Sequence, residues 1–317
     1  MQTSMDLSSL ISAIAPVILV LAIGFAAGMH RSFDAAQTSG FSRLALTYAL
    51  PAALFLGMAH FDRTTLLQQG SVALVMLIGY SGLYLFLYAL LRSLGLDKLK
   101  AALLGYTFSS TAVPIYGLTV LVPIYGNEVA TGIVGLAALV TNLSQVSVAV
   151  FLLQAATTRV ASIRSALSTL GRSAINPLVW APVLGAIVAL SGLPLSPYVS
   201  TALRPLAVSA AGVAIFASGL VLAAHPIRLT SPTVLIGSLI SLVAQPALFF
   251  AFIELMGVSG PMSHAAFVAS AMPTGTPSVL FAQQYAACEP ETASIMLVTT
   301  VGMLIALPAT IALSVYL

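Results

Sequence analysis

The sequence predicts an all-α transmembrane protein. Its ten helices form two inverted five-helix repeats, and helices 4 and 9 are broken where they cross. Three observations predict it. Of 317 residues, 59% are hydrophobic and 6% charged, with a mean hydropathy of +1.07, whereas a soluble domain carries about 25% charged residues. Ten segments approach the ~20 apolar residues that a bilayer crossing requires. Two proline-centred breaks, Ser109-Ser110-Thr111-Ala112-Val113-Pro114 and Met272-Pro273-Thr274-Gly275-Thr276-Pro277, interrupt segments that otherwise read as continuous spans.

The first span is 7–28. Only Asp6 precedes it, with no basic stretch, so it reads as a span rather than a cleaved signal. Spans 2 and 3 are 39–59 and 70–91. Span 4, 99–124, holds the first break, and Asn127-Glu128 opens span 5, 128–155, as a helix start. The longest polar stretch follows, with Arg159, Arg164 and Arg172. It divides the chain into a first repeat, 1–156, a connecting segment, 157–172, and a second repeat, 173–317. Asn176-Pro177 caps span 6, 173–192, with proline in the first helical position. Gly192-Leu193-Pro194 turns the chain into span 7, 199–223. Span 8, 231–256, carries a structural kink at Gln245-Pro246, and span 9, 262–285, holds the second break. Glu289-Pro290-Glu291 opens span 10, 290–316, with acids in its first turn.

Basic residues orient the bundle. With the N-terminus outside, nine fall on the cytoplasmic side (Arg31, Arg43, Arg92, Lys98, Lys100, Arg159, Arg164, Arg172 and Arg228), against Arg63 and Arg204 outside. Ten spans return the C-terminus to the outer side. Five spans per half reverse the second half relative to the first, which is the arithmetic of an inverted repeat. Weak echoes agree. Ala15-Pro16-Val17 matches Ala181-Pro182-Val183, and Phe55-Leu56-Gly57-Met58-Ala59 resembles Ala217-Ser218-Gly219-Leu220-Val221. Pro114 and Pro277 lie 163 positions apart, as do Glu128 and Glu291.

The breaks carry the chemistry. Proline removes a backbone donor and clashes with the carbonyl four residues back. Hydrocarbon cannot satisfy the freed groups, so such breaks persist only within protein or beside a cavity. Ser109, Ser110 and Thr111 offer hydroxyls ahead of Pro114. In the second break Pro273 and Pro277 flank Thr274, Gly275 and Thr276, and Gly275 would tolerate a positive φ. The half-helix after each break points its positive N-terminal dipole at the midplane, and two such ends attract an anion without a formal charge. Asn142 and Gln145, three residues apart, read as one helix face that either reaches the first break or makes an interhelical bond. Tyr116 lines the cavity or packs. Arg43 and Arg204, at the entrances of spans 2 and 7, read as vestibule cations or as snorkelling side chains.

Several classes are excluded. The net charge of +3 comes from scattered basic residues that form no patch for nucleic acid. The lone Cys288, a small packing residue near a helix end, allows neither an intrachain disulfide nor a multi-cysteine metal site. His30, His60, His225 and His264 are interfacial and lack metal-ligand spacing, so no metal or cofactor is expected. An enzyme would need a nucleophile, a metal set or paired acids within the spans; there is no HExxH and no intramembrane aspartate pair. No deep carboxylate is placed to carry a proton or fix a sodium ion. The reading is a secondary carrier for an anion, its partners being that anion and the bilayer. The nearest rival is a sodium-coupled organic-solute symporter on a similar fold.

The run Ala271-Met272-Pro273-Thr274-Gly275-Thr276-Pro277-Ser278-Val279-Leu280-Phe281-Ala282-Gln283 resembles the crossover segment of the auxin efflux carrier family. Bacterial members of that family include proteins described as malonate transporters. Asn176-Pro177-Leu178 with Gly185, and Phe216-Ala217-Ser218-Gly219-Leu220, look like its sixth and seventh spans, and Tyr48-Ala49-Leu50-Pro51-Ala52-Ala53-Leu54-Phe55 like its second. The resemblance implies the ten-span inverted repeat, a scaffold part and a moving transport part, an organic anion as cargo, a homodimer, and a bacterial inner membrane. It matches Asn142 to the family's fifth-span asparagine. The chain departs from the pattern in span 4, where Phe108-Ser109-Ser110-Thr111-Ala112-Val113-Pro114 replaces an asparagine-containing motif.

Overall fold

The computed structural model describes residues 7–60, 70–157, 177–192, 194–224 and 229–317, and among them every regular element is helical. In chain order these are α1 (Leu7–Met29), α2 (Ala35–Ala59), α3 (Gly70–Ser93), α4 (Lys98–Ser109), α5 (Val113–Val140) and α6 (Ser147–Thr157). Then come α7 (Pro177–Ser191), α8 (Pro197–Ala223), α9 (Pro232–Leu255), α10 (Pro261–Ser270), α11 (Pro277–Gln284) and α12 (Glu289–Leu313). Six stretches among the described residues are long and apolar enough to cross a membrane: α2, α3, the 60-residue run Lys98–Thr157, α8, α9, and α12 with its last turn. The run Lys98–Thr157 is not straight. It breaks after Ser109, and Gly126 leaves helical geometry at φ 81°, so its α5 part is two helices joined at that residue. Asp6, Asp62, Arg63, residues 158–172 with Arg159 and Arg164, Arg172, Asn176, Leu193, His225 and Arg228 lie outside the described residues.

Local signals account for the boundaries. Asp34 caps α2, its carboxylate accepting from the Gln37 amide at 2.7 Å while the Gln37 side chain accepts from the Asp34 amide at 2.9 Å. Asp97 caps α4 by accepting from the Lys100 amide at 3.0 Å. Glu289 and Glu291 occupy the first turn of α12. Four π turns lie inside the long helices: Ala45–Ala49, Leu77–Gly82, Thr141–Val146 and Ile240–Ala244. Two of them end two residues before a proline, Pro51 and Pro246. The wider turn absorbs the missing N–H and the ring clash that would otherwise kink the helix.

The chain divides into two compact units. Unit 1 comprises Met1–Leu67, Pro114–Gly135 and Ala181–Ala224; unit 2 comprises Gln68–Val113, Leu136–Trp180 and His225–Leu317. In unit 1, α1 packs along α8. A Cβ built on Gly24 would overlap the Phe216 carbonyl, and one on Gly219 would overlap the Leu21 carbonyl and stand 2.6 Å from the Phe25 amide. Small residues let membrane helices approach this closely. Phe33, Phe41 and Phe216 complete the contact edge-to-face, with ring centroids 5.2–5.8 Å apart.

In unit 2 the two short helices α4 and α10 are buried on almost every side, from Ala101 to Ser109 and from Met262 to Ser270 apart from His264. Phe108 and Ile295 meet around Gly237 of α9, and Phe249 of α9 lies over Gly79 with its ring 4.8 Å from that of Tyr80. Within this unit three landmarks recur at one spacing. The π turns of α3 and α9 begin at Leu77 and Ile240, and α4 and α10 begin at Lys98 and Pro261; each pair is 163 positions apart, the spacing of the break prolines Pro114 and Pro277.

Candidate functional site

Both breaks form where expected, and unit 2 brings them together. After α4 the backbone turns extended at Ser110 (φ −76°, ψ 151°) and passes through Ala112 (φ −91°, ψ 27°) into α5. After α10, residues Ala271 to Thr276 run without regular helix before Pro277 opens α11. The amide of Ala112 donates to the Pro273 carbonyl at 2.7 Å, so one break satisfies the other. The Thr274 hydroxyl donates to the Thr107 carbonyl at 3.2 Å, and the Thr274 amide donates to Thr299 Oγ1 on α12 at 3.1 Å. Thr274 is therefore a brace, its side chain committed to holding the breaks together.

Gly275 would tolerate a positive φ but does not take one. Glycine is needed there for space. A Cβ would sit 3.0 Å from the Thr111 carbonyl, so a side chain would push the breaks apart. The amides of Ser278 and Val279 already donate to the Gly275 and Thr276 carbonyls at 3.1 Å each. At α11 it is the dipole, rather than these two amides, that is left to act on an anion.

The polar side chains around the breaks are mostly neutral and buried. Gln145 is fully buried, and its Nε2 donates within 3.0–3.1 Å to the Ser109 carbonyl, Ser109 Oγ and the Tyr80 carbonyl. Asn142 behaves differently: it is half-buried and its amide donates to Ala138, one turn back on its own helix, at 2.8 Å. The sequence reading put the two on one face. Thr141–Val146 is a π turn, and from it Gln145 reaches the Ser109 end of the first break. Ser144, in the same turn, instead meets Ser81 of α3 at 2.6 Å.

What distinguishes the site is its unpartnered groups. Most helical Ser and Thr hydroxyls here bond back to a carbonyl three or four residues earlier, as in Ser109 to Gly105 at 2.8 Å and Thr107 to Leu103 at 2.8 Å. Ser110 Oγ, Thr111 Oγ1, the Tyr80 hydroxyl and Gln145 Oε1 are buried without a hydrogen-bond partner. The Tyr80 hydroxyl lies toward Thr111 without closing a bond of ordinary geometry. Each such group costs about 1–3 kcal/mol, so their clustering at a double break marks a place built for something other than packing. Sequence reasoning missed Tyr80. The one hint was its place in a helix that a π turn, invisible to hydropathy, rotates toward the break.

The remaining predicted residues are placed as follows. Pro273 and Thr276 are buried in the second break and Pro277 is half-buried at the start of α11. Pro114 and the fully buried Tyr116 open α5, where the chain passes into unit 1. Arg43, in the last turn before the first π turn of α2, and Arg204 in α8 are both exposed. Every charged residue described is exposed except the half-buried Glu289 and Glu291.

A family profile described as membrane transport protein matches residues 9–165 and 143–311. The chain belongs to this family, the auxin efflux carriers whose crossover segment the run 271–283 resembles. Among its relatives is the uncharacterized transporter YfdV of Escherichia coli (strain K12), 26% identical over 304 residues, which cover 95% of this chain and 96% of that protein. The YfdV proteins of Escherichia coli O157:H7 and Shigella flexneri match at the same identity and coverage.

Proposed function

We propose, proceeding from membership of that family, that the chain is a secondary transporter that moves a small organic anion, a carboxylate, across the membrane by alternating access. The guest sits where spans 4 and 9 cross. The observation that carries this reading is the pair of breaks in unit 2, tied by Ala112 and Pro273, with the hydroxyls of Ser110, Thr111 and Tyr80 buried beside them and unpartnered. A carboxylate accepts from hydroxyl donors, and such charge-assisted bonds are about twice as strong as neutral ones. The dipole of α11, which follows the second break, adds partial positive charge. With no buried Lys or Arg among the described residues, the site suits one negative charge, because uncompensated burial of charge is costly.

The ten-span inverted repeat belongs to this proposal, supported by the recurrence of π turns, helix starts and break prolines at 163 positions. So do a bacterial inner-membrane location, outward termini and a homodimer. A repeat of this kind exchanges inward and outward states by moving one bundle against the other around the midplane site.

The test is uptake of labelled propionate, malonate and indole-3-acetate into proteoliposomes by the wild type and by Thr111→Val. The reading expects at least one of these acids to be taken up, and the variant to lose about tenfold or more at unchanged protein yield. Equal uptake by the variant would contradict it. Replacing sodium by choline in the same assay separates the rival symporter, which would stop, from the carrier, which would not.

A further inference from the structure

Unit 2 holds a second set of buried, unpartnered polar groups on the inner face of α9. Gln245 is fully buried, and neither its amide oxygen nor its amide nitrogen has a hydrogen-bond partner in the protein. Ser238 and Ser241 on the same face are buried with unpartnered hydroxyls. The kink at Gln245-Pro246 explains the backbone there but gives the amide nothing to bond.

Contacts at its two ends place this face beside the breaks. Two turns before Gln245, Gly237 abuts Phe108, the residue next to Ser109 of the first break. One turn after it, about 6 Å along the axis, the ring of Phe249 meets that of Tyr80, tilted by 52° with centroids 4.8 Å apart. Ser109 and Tyr80 are themselves neighbours, since Gln145 Nε2 donates to both their carbonyls at 3.0 and 3.1 Å. Along α9, Gln245 thus lies between one contact to Phe108 and one to Tyr80, both residues that adjoin the first break.

We propose that Gln245 is a specificity-determining residue: it binds a second, neutral group of the guest that both donates and accepts hydrogen bonds. The inference rests on the carboxylate reading of the breaks. A primary amide presents one acceptor and two donors. A second carboxylate would satisfy the nitrogen and repel the oxygen, whereas a carboxamide or a protonated carboxyl satisfies both. The guest is then a monoanion with a carboxylate at one end and such a group at the other. A site built to hydrogen-bond a group rejects the analogue lacking it strongly, because its own polar atoms are left unpaired.

The experiment compares succinamate with levulinate, which differ only by NH2 in place of CH3, as competitors of labelled propionate uptake in proteoliposomes. The wild type is expected to prefer succinamate by about tenfold or more, and Gln245→Met to bring the ratio near one while propionate uptake persists. The melting temperature of Gln245→Met should be unchanged or raised, since an unpartnered buried amide is lost. A wild-type ratio near one, a ratio that survives the substitution, or a variant that melts early or fails to fold would each overturn the proposal. Propionate separates the two readings. Uptake that Thr111→Val abolishes, without discrimination between the two competitors, removes the Gln245 subsite and leaves the breaks. Propionate uptake untouched by Thr111→Val removes both.

Discussion

In unit 1, helices meet backbone to backbone, glycine against carbonyl, and aromatic rings fill the remaining edge. In unit 2, two helices stop inside the protein, and four polar side chains around the breaks keep buried atoms without partners. The first arrangement is what packing alone produces where helices have no hydrophobic drive to associate. The second is costly in stability and persists where the groups serve a guest. The same apolar composition therefore supports two regimes, one optimised for contact and one held short of it.

Substitutions can break that contrast. Gly219→Leu in unit 1 should have the largest effect, destabilising by about 3 kcal/mol or more because the side chain meets α1 backbone that cannot yield. Thermal unfolding in detergent checks it, and a melting temperature within a degree of wild type would refute the tight contact. Thr111→Val in unit 2 should do the reverse. Uptake falls about tenfold or more, equivalent to about 1.4 kcal/mol, while the melting temperature holds or rises because an orphaned hydroxyl is removed. Gly275→Ala should be milder, a several-fold loss of uptake as the Thr111 carbonyl, 3.0 Å from the new Cβ, is displaced.

Arg43→Gln and Arg204→Gln should change uptake less than twofold at physiological salt, since both side chains are exposed. Cys288 should matter least to transport. It packs against the cluster of Leu87, Leu104, Phe108, Val234 and Ile295, and burial, with Glu291 nearby, pushes its thiol up to about 11. Its folded-state value is raised and the thiolate is the reacting form, so alkylation should be slow at pH 8. It should climb about tenfold per pH unit up to pH 10; a plateau near pH 9 would contradict the burial.

The helical class, the two breaks and their prolines were legible because proline, glycine and hydropathy act locally. Gln145 was found for the same reason, as an amide in an apolar run. Three features were not legible. The winding around Asn142 and Gln145 is one, since the sequence implies a period of 3.6 where Thr141–Val146 is a π turn. The clearance that Gly275 provides is another, because it depends on Thr111, 164 positions away. The third is the unpartnered state of Tyr80 and of Gln245, which from sequence reads as part of a kink; a buried polar group is distinguished only by what fails to bond it.

Equilibrium binding of labelled propionate to the purified protein, wild type against the double variant Ser110→Ala and Thr111→Val, addresses the central claim most directly. Loss of saturable binding with the fold intact is the predicted result. Undiminished affinity would mean that the anion is held somewhere other than at the two breaks.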